Sequence, residues 1–126
     1  MNLNKLINLI DGKILAAADQ ADREIKGCCG ADLMSDVLAS IQPDALLLTG
    51  LCNPQVVRTA EMADVTAIVF VRGKLPPKET VELANQAQIP LITSPFGMFE
   101  LCGRLYRAGL PSMETPVTSG HYDCGE

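Results

Sequence analysis

The residues of this chain that could do chemistry fall into two groups: five thiols, and a set of polar residues standing beside glycines. The thiols are Cys28, Cys29, Cys52, Cys102 and Cys124. Cys28 and Cys29 are adjacent and precede a predicted helix, whose N-terminus would lower a thiol pKa and favour nucleophilic attack or metal ligation. Neither use is complete in the sequence. No Cys-x-x-Cys occurs, and the one histidine, His121, lies near Cys124 in the last segment, whereas a zinc centre takes four donors at defined spacing. A cysteine nucleophile would lack a histidine base within the folded part, and cysteine also serves as a small buried hydrophobe.

The polar set is Thr49, Gly50 and Asn53, then Arg72, Gly73 and Lys74, then Thr93 and Ser94. Hydroxyls, an amide and two cations among small residues suit a phosphate or a carboxylate. Their plainer use is to form turns and cap helices. Other arrangements fail earlier. No Gly-x-x-x-x-Gly-Lys-Ser/Thr loop is present, and Gly27-Cys28-Cys29-Gly30 is too short for a dinucleotide fingerprint. Asp32 and Asp36 are four apart and read as a helix cap plus a solvated side chain.

The elements that must position these residues follow from periodicity. Leu3, Leu6, Ile7 and Ile10 repeat at helical spacing, Asp11-Gly12 ends that helix, and Lys13 to Ala17 reads as a short strand. Ala18 to Glu24 is a loop, and Ile25 to Cys28 a second short extended stretch. Asp32 then caps a helix with Leu33, Met34, Val37, Leu38 and Ile41 on its apolar face. Three repeats follow: an apolar run over Ala45 to Thr49 and a helix over Pro54 to Met62; a run over Ala67 to Val71 and a helix over Pro77 to Ala87; a run over Leu91 to Thr93 and a helix over Phe96 to Ala108. Apolar runs without polar alternation are strands covered on both faces, and their alternation with helices predicts βαβ crossovers. The predicted fold is a three-layer α/β/α sandwich with a mostly parallel sheet. Its strand ends carry the polar set, where ligands of open parallel sheets bind. Phe96, Phe99, Cys102, Leu105 and Tyr106 form a stripe assigned mainly to core packing, wide enough to serve a dimer contact as well.

The chain of 126 residues fits one domain over 1–110 with a loose tail over 111–126. A net charge of −5 and a pI near 4.8 argue against nucleic acid and against an anionic membrane as partners. No signal peptide and no membrane span is recognisable, so the expected compartment is the cytoplasm, with reduced thiols.

The order of these segments resembles the DRTGG domain family. The resemblance rests on Gly27 to Leu38 (GCCGADLMSDVL), the Leu-rich run ending in Thr49-Gly50, the run ending in Arg72-Gly73, and the final IPLITSPFGMFELCGRLYRAGL, and spans about Leu3 to Leu110. The family is similar to the N-terminal domain of HPr kinase/phosphorylase, and also occurs beside CBS domains in regulated pyrophosphatases and in phosphotransacetylases. The resemblance implies a parallel-sheet fold, no catalysis of its own, and homodimerisation; no cofactor is expected. The chain departs from the naming motif: Gly50-Leu51-Cys52 stands where relatives have Gly-Asp-Arg, Val71-Arg72-Gly73 where they have Thr-Gly-Gly, and Gly97-Met98 where they have Asp-Thr. The expected function is a stand-alone regulatory or scaffold domain that binds a partner protein and a small phosphorylated ligand or nucleotide at the strand ends. The alternatives are a small enzyme with a cysteine nucleophile, or a thiol-ligated metal or iron–sulfur protein.

Overall fold

The structure, a computed structural model, describes residues 1–117. Its elements are α1 (Leu3–Leu9), β1 (Lys13–Ala16), β2 (Cys28–Gly30), α2 (Met34–Ser40), β3 (Leu46–Thr49), α3 (Pro54–Met62), β4 (Ala67–Phe70), α4 (Lys78–Ala87), β5 (Leu91–Thr93) and α5 (Met98–Arg107). The five strands form one sheet in the order β1-β5-β4-β3-β2. The pairs β2–β3, β3–β4 and β4–β5 are parallel, while β1 runs antiparallel to β5. The three-layer, mostly parallel sandwich predicted above is the fold.

The strand order dictates where the helices go. Successive parallel strands step across the sheet in one direction, so right-handed crossovers put α2, α3 and α4 on the same face. That layer packs Val37, Val56, Val57, Ala60 and Ala84 on Leu47, Ile68 and Phe70. No parallel strand follows β5, so α5 is free to cross to the opposite face, where it joins α1. There Leu3, Leu6, Ile10, Leu101 and Leu105 cover Leu46, Leu48, Val69 and Ile92. Alternate residues of each strand thus serve opposite layers, and each fully buried Leu or Ile contributes about 1.5–3 kcal/mol.

Four local expectations need correction. The strand predicted at Ile25 to Cys28 lies at Cys28–Gly30, because pairing with β3 begins at Cys28 opposite Leu46. Asp32 does not cap α2. The N-cap position is Leu33, without a side-chain bond, and the Asp32 carboxylate is engaged elsewhere. Of the apolar face assigned to that helix, Val37 is buried and Met34 and Ile41 are half-buried, but Leu33 and Leu38 face solvent. On α5, Leu101 and Leu105 point inward, whereas Phe99 is 93% and Tyr106 75% exposed. Core packing therefore accounts for Leu105 and the partly buried Phe96 of that stripe, but not for Phe99 and Tyr106.

Nor is the segment just after Leu110 loose. Cys28 N–H donates to Pro111 O (3.0 Å), Met113 N–H to Cys28 O (2.8 Å), Gln42 N–H to Met113 O (2.8 Å) and Thr115 N–H to Ser40 O (2.7 Å). Residues 111–115 form a strap along the free edge of β2. It lies against Gly27, where a Cβ would stand 2.6 Å from Pro111 O and closer still to Met113 Cγ. The strap needs a glycine there. The rest of the predicted tail, with His121 and Cys124, lies outside the described residues.

Candidate functional site

The carboxyl ends of β2 to β5 share one edge of the sheet, and the polar residues singled out in the sequence lie along it. At the end of β3, the Thr49 hydroxyl donates to Asp32 Oδ1 (3.1 Å) and accepts from Leu51 N–H (3.1 Å). Gly50 N–H donates to the same Asp32 oxygen at 2.7 Å. Lys74, from the turn after β4, donates through Nζ to Gly50 O at 3.0 Å. One peptide turn is therefore held between a carboxylate and an ammonium group. A Cβ on Gly50 would stand 3.2 Å from Lys74 Nζ and 3.6 Å from Asp32 Oδ1.

The turn after β4 is joined to the turn after β5. Arg72 N–H donates to Phe96 O (2.8 Å) and Gly73 N–H to Ser94 O (2.6 Å). Arg72 and Gly73 both adopt left-handed backbone, with φ of 60° and 65°. Such backbone is costly for a side-chain-bearing residue, and it is held here by the bonds on either side. The guanidinium itself is exposed and makes no hydrogen bond or ion pair among the described residues. Asn53 is also exposed, at the N-cap position of α3, and its amide makes no capping bond. The N-cap positions of α4 and α5, Pro77 and Gly97, supply none either, so the first-turn N–H groups of three helices have no side-chain acceptor.

Two members of the predicted set do structural work. The Thr93 hydroxyl donates to Lys74 O (2.8 Å), and the buried Ser94 hydroxyl donates to Ile10 O (2.8 Å) and accepts from Phe96 N–H (3.3 Å). Asp32 is the residue that the sequence reading did not place in this site. Its signal was present, since it follows the end of β2 and so belongs to the same carboxyl edge, but a β2 drawn three residues too early made it a helix cap. The edge thus offers Arg72, the remaining donors of Lys74 and the Asn53 amide, with one free carboxylate oxygen on Asp32. That set can hold an anion and accept one hydrogen bond.

The thiols lie away from this edge, except Cys52. Cys28, Cys29 and Cys102 line a cavity of about 290 Å³ between β2 and α5, with Met98, Leu48 and Leu105 around them and the strap as one wall. Burial pushes the Cys28 thiol up to about 12, helped by the nearby Cys102. Cys29 is also raised to about 12, by burial and by its hydrogen bond to Glu114 (Sγ to Oε2, 3.2 Å). Burial raises Cys52 and Cys102 as well, and at Cys52 the Lys74 charge works in the other direction. All four thiols are protonated at neutral pH, the opposite of what a cysteine nucleophile needs. Among the described residues, no three His, Cys, Asp or Glu side chains are grouped to hold a metal ion, and no helix is long and apolar enough to cross a membrane.

An α/β sandwich with a polar carboxyl edge is a ligand-binding architecture of wide use. Residues 5–108 match the model of the DRTGG domain, and the chain belongs to that family. Comparison with curated protein sequences finds no match. Among solved structures, the chain is similar to the CBS and DRTGG domains of the regulatory region of Clostridium perfringens pyrophosphatase, complexed with the activator diadenosine tetraphosphate. The identity is 17% and the TM-score 0.66; the match covers 90% of this chain and 50% of that one, so this chain spans about half its length.

Proposed function

We propose that this domain is a cytoplasmic regulatory module: it binds a small phosphorylated ligand, nucleotides included, at the carboxyl edge, and relays that binding to a partner protein. The observation that carries the reading is Arg72, an unpaired guanidinium held by the stitched β4 and β5 turns beside helix N–H groups that lack side-chain caps. A guanidinium beside the start of a helix binds phosphate oxygens well, and the free oxygen of Asp32 suits a hydroxyl on the same ligand. The family supports the regulatory role, since the similar DRTGG domain belongs to a regulatory region.

The test is calorimetry and thermal shift on the full chain with nucleotides and phosphorylated metabolites. A binder at 100 times its Kd adds about 2.7 kcal/mol of stability. Arg72→Ala should weaken binding about tenfold, the worth of one charge-assisted bond, without lowering the melting temperature of the free protein. No response at millimolar ligand, or an unchanged affinity in Arg72→Ala, rejects the carboxyl-edge site.

The same module pairs with a second copy through the outer face of α5, a reading favoured by Phe99 and Tyr106. These exposed aromatics are one heptad apart, with Cys102 and Gly103 between them, and nothing stands within 4 Å of a Cβ at Gly103. Two such helices packed antiparallel bring Phe99 against Tyr106 and Glu100 against Arg107 of the other copy. Sedimentation should show a dimer that Phe99→Glu dissociates. A wild-type chain that stays monomeric at high concentration rejects the dimer.

A further inference from the structure

The cavity between β2 and α5 gathers three of the four described cysteines. Neither the regulatory reading nor the carboxyl edge uses it. Cys28 and Gly30 are two apart on β2 and so face the same layer. Met98 and Cys102 are four apart on α5 and share a face of that helix. The two pairs meet: Met98 Sδ and Cys102 Sγ stand 3.2 and 3.7 Å from the point a Cβ on Gly30 would occupy. Cys28 packs against the same layer as Met98, and it lines the same cavity as Met98 and Cys102. Gly30 thus leaves open the space on which a thioether and a thiol converge, with a second thiol beside it.

We propose that this cavity is a binding site for a soft monovalent metal ion, Cu(I), held by the sulfurs of Cys28 and Cys102 with the Met98 thioether alongside. The donor set selects the ion. Zinc takes four tetrahedral donors, usually thiolate and imidazole, and no three-residue His, Cys, Asp or Glu group is assembled among the described residues. Cu(I) favours thiolate and thioether sulfur and is satisfied by two or three of them. On binding, two S–H bonds break, two S–Cu bonds form, and two protons leave to solvent. Copper keeps its oxidation state, so no oxidant or reductant is required. Cys29, hydrogen-bonded to Glu114, lies outside the ligand set. Because both protons must be displaced, apparent affinity should rise by about 100-fold per pH unit around neutrality.

The experiment is an anaerobic titration of the reduced full chain with Cu(I), in competition with a chromophoric Cu(I) chelator. Wild-type protein should bind one ion per chain. Cys102→Ser, a near-isosteric change at an exposed cavity-mouth residue, should weaken binding about 100-fold or more by removing one of two thiolates, and Cys28→Ser should match it. Gly30→Ala should lower the affinity at least about tenfold while leaving circular dichroism unchanged, since its backbone suits alanine and its methyl group occupies the convergence point. Cys52→Ser and Cys124→Ser should bind as wild type. The proposal is overturned if Cys102→Ser retains wild-type affinity, if Gly30→Ala binds unchanged, or if Cys52→Ser or Cys124→Ser weakens binding as much as Cys102→Ser. It does not depend on the carboxyl-edge ligand and stands or falls separately from it.

Discussion

The carboxyl edge and the β2–α5 cavity lie on one small sheet, and they are built in opposite ways. The edge is open, charged and made of turns; its groups hang on backbone bonds such as Gly73 N–H to Ser94 O. The cavity is lined by side chains that also belong to the core, among them Leu48 and Leu105, and its thiols are held neutral by burial. A site on turns can change its ligand residues with little cost to the fold. A site inside the packing cannot.

That contrast can be broken by stability measurements, beginning with the largest effect. Leu105→Ala removes a buried side chain from a wall that already borders empty space. It should cost about 2–5 kcal/mol in urea denaturation, and a cost below 1 kcal/mol would mean that the cavity wall is not core. Gly27→Ala comes next. Its Cβ has no room under Pro111 and Met113, so it should cost about 1–3 kcal/mol and speed hydrogen exchange at the Met113 amide. At the edge, Asp32→Ala removes the acceptor of Gly50 N–H and of the Thr49 hydroxyl. Since the carboxylate is exposed, about 1 kcal/mol is expected, together with weaker binding of a phosphorylated ligand whose hydroxyl loses its acceptor.

The smallest effect is that of the thiols near neutral pH. Their folded pKa values lie above the ordinary thiol value, so their neutral form is favoured by folding and stability from this source is complete below pH 9. As pH rises from 9 towards 12, unfolded chains ionise Cys28 and Cys29 while folded ones do not, and stability falls. Cys28→Ser should flatten that alkaline loss in denaturation curves collected from pH 8 to 11. A curve identical to wild type would show that Cys28 titrates as an ordinary exposed thiol.

Much of the scaffold was legible because its signals are local. Leu46–Thr49, Ala67–Phe70 and Leu91–Thr93 are unbroken apolar runs, and Pro54 marks the first turn of α3, so three strands and a helix fall where the pattern puts them. The direction of β1 was not legible, since a four-residue strand carries nothing that distinguishes parallel from antiparallel pairing. The face of α5 was hidden for another reason. The apolar side of that helix is wider than the core can cover, and only the crossing after β5 decides that Leu101 goes in and Phe99 stays out. Most of the carboxyl-edge residues could be named from their places after apolar runs, but what each does there depends on partners far away in sequence. Ser94 bonds to Ile10 and Thr49 to Asp32, and no spacing rule links those pairs. The sulfur cavity combines both difficulties.

The strap along β2 bears on solubility. An unpaired strand edge invites pairing with strands of other molecules and is a common seed of aggregation. Here one flank of the sheet has the peptide groups of Cys28 occupied by Pro111 and Met113. The other flank, β1, is four residues long and breaks register between Ile14 and Ala16. Neither flank presents a long flat ladder, so each offers a poor template for a strand of another molecule.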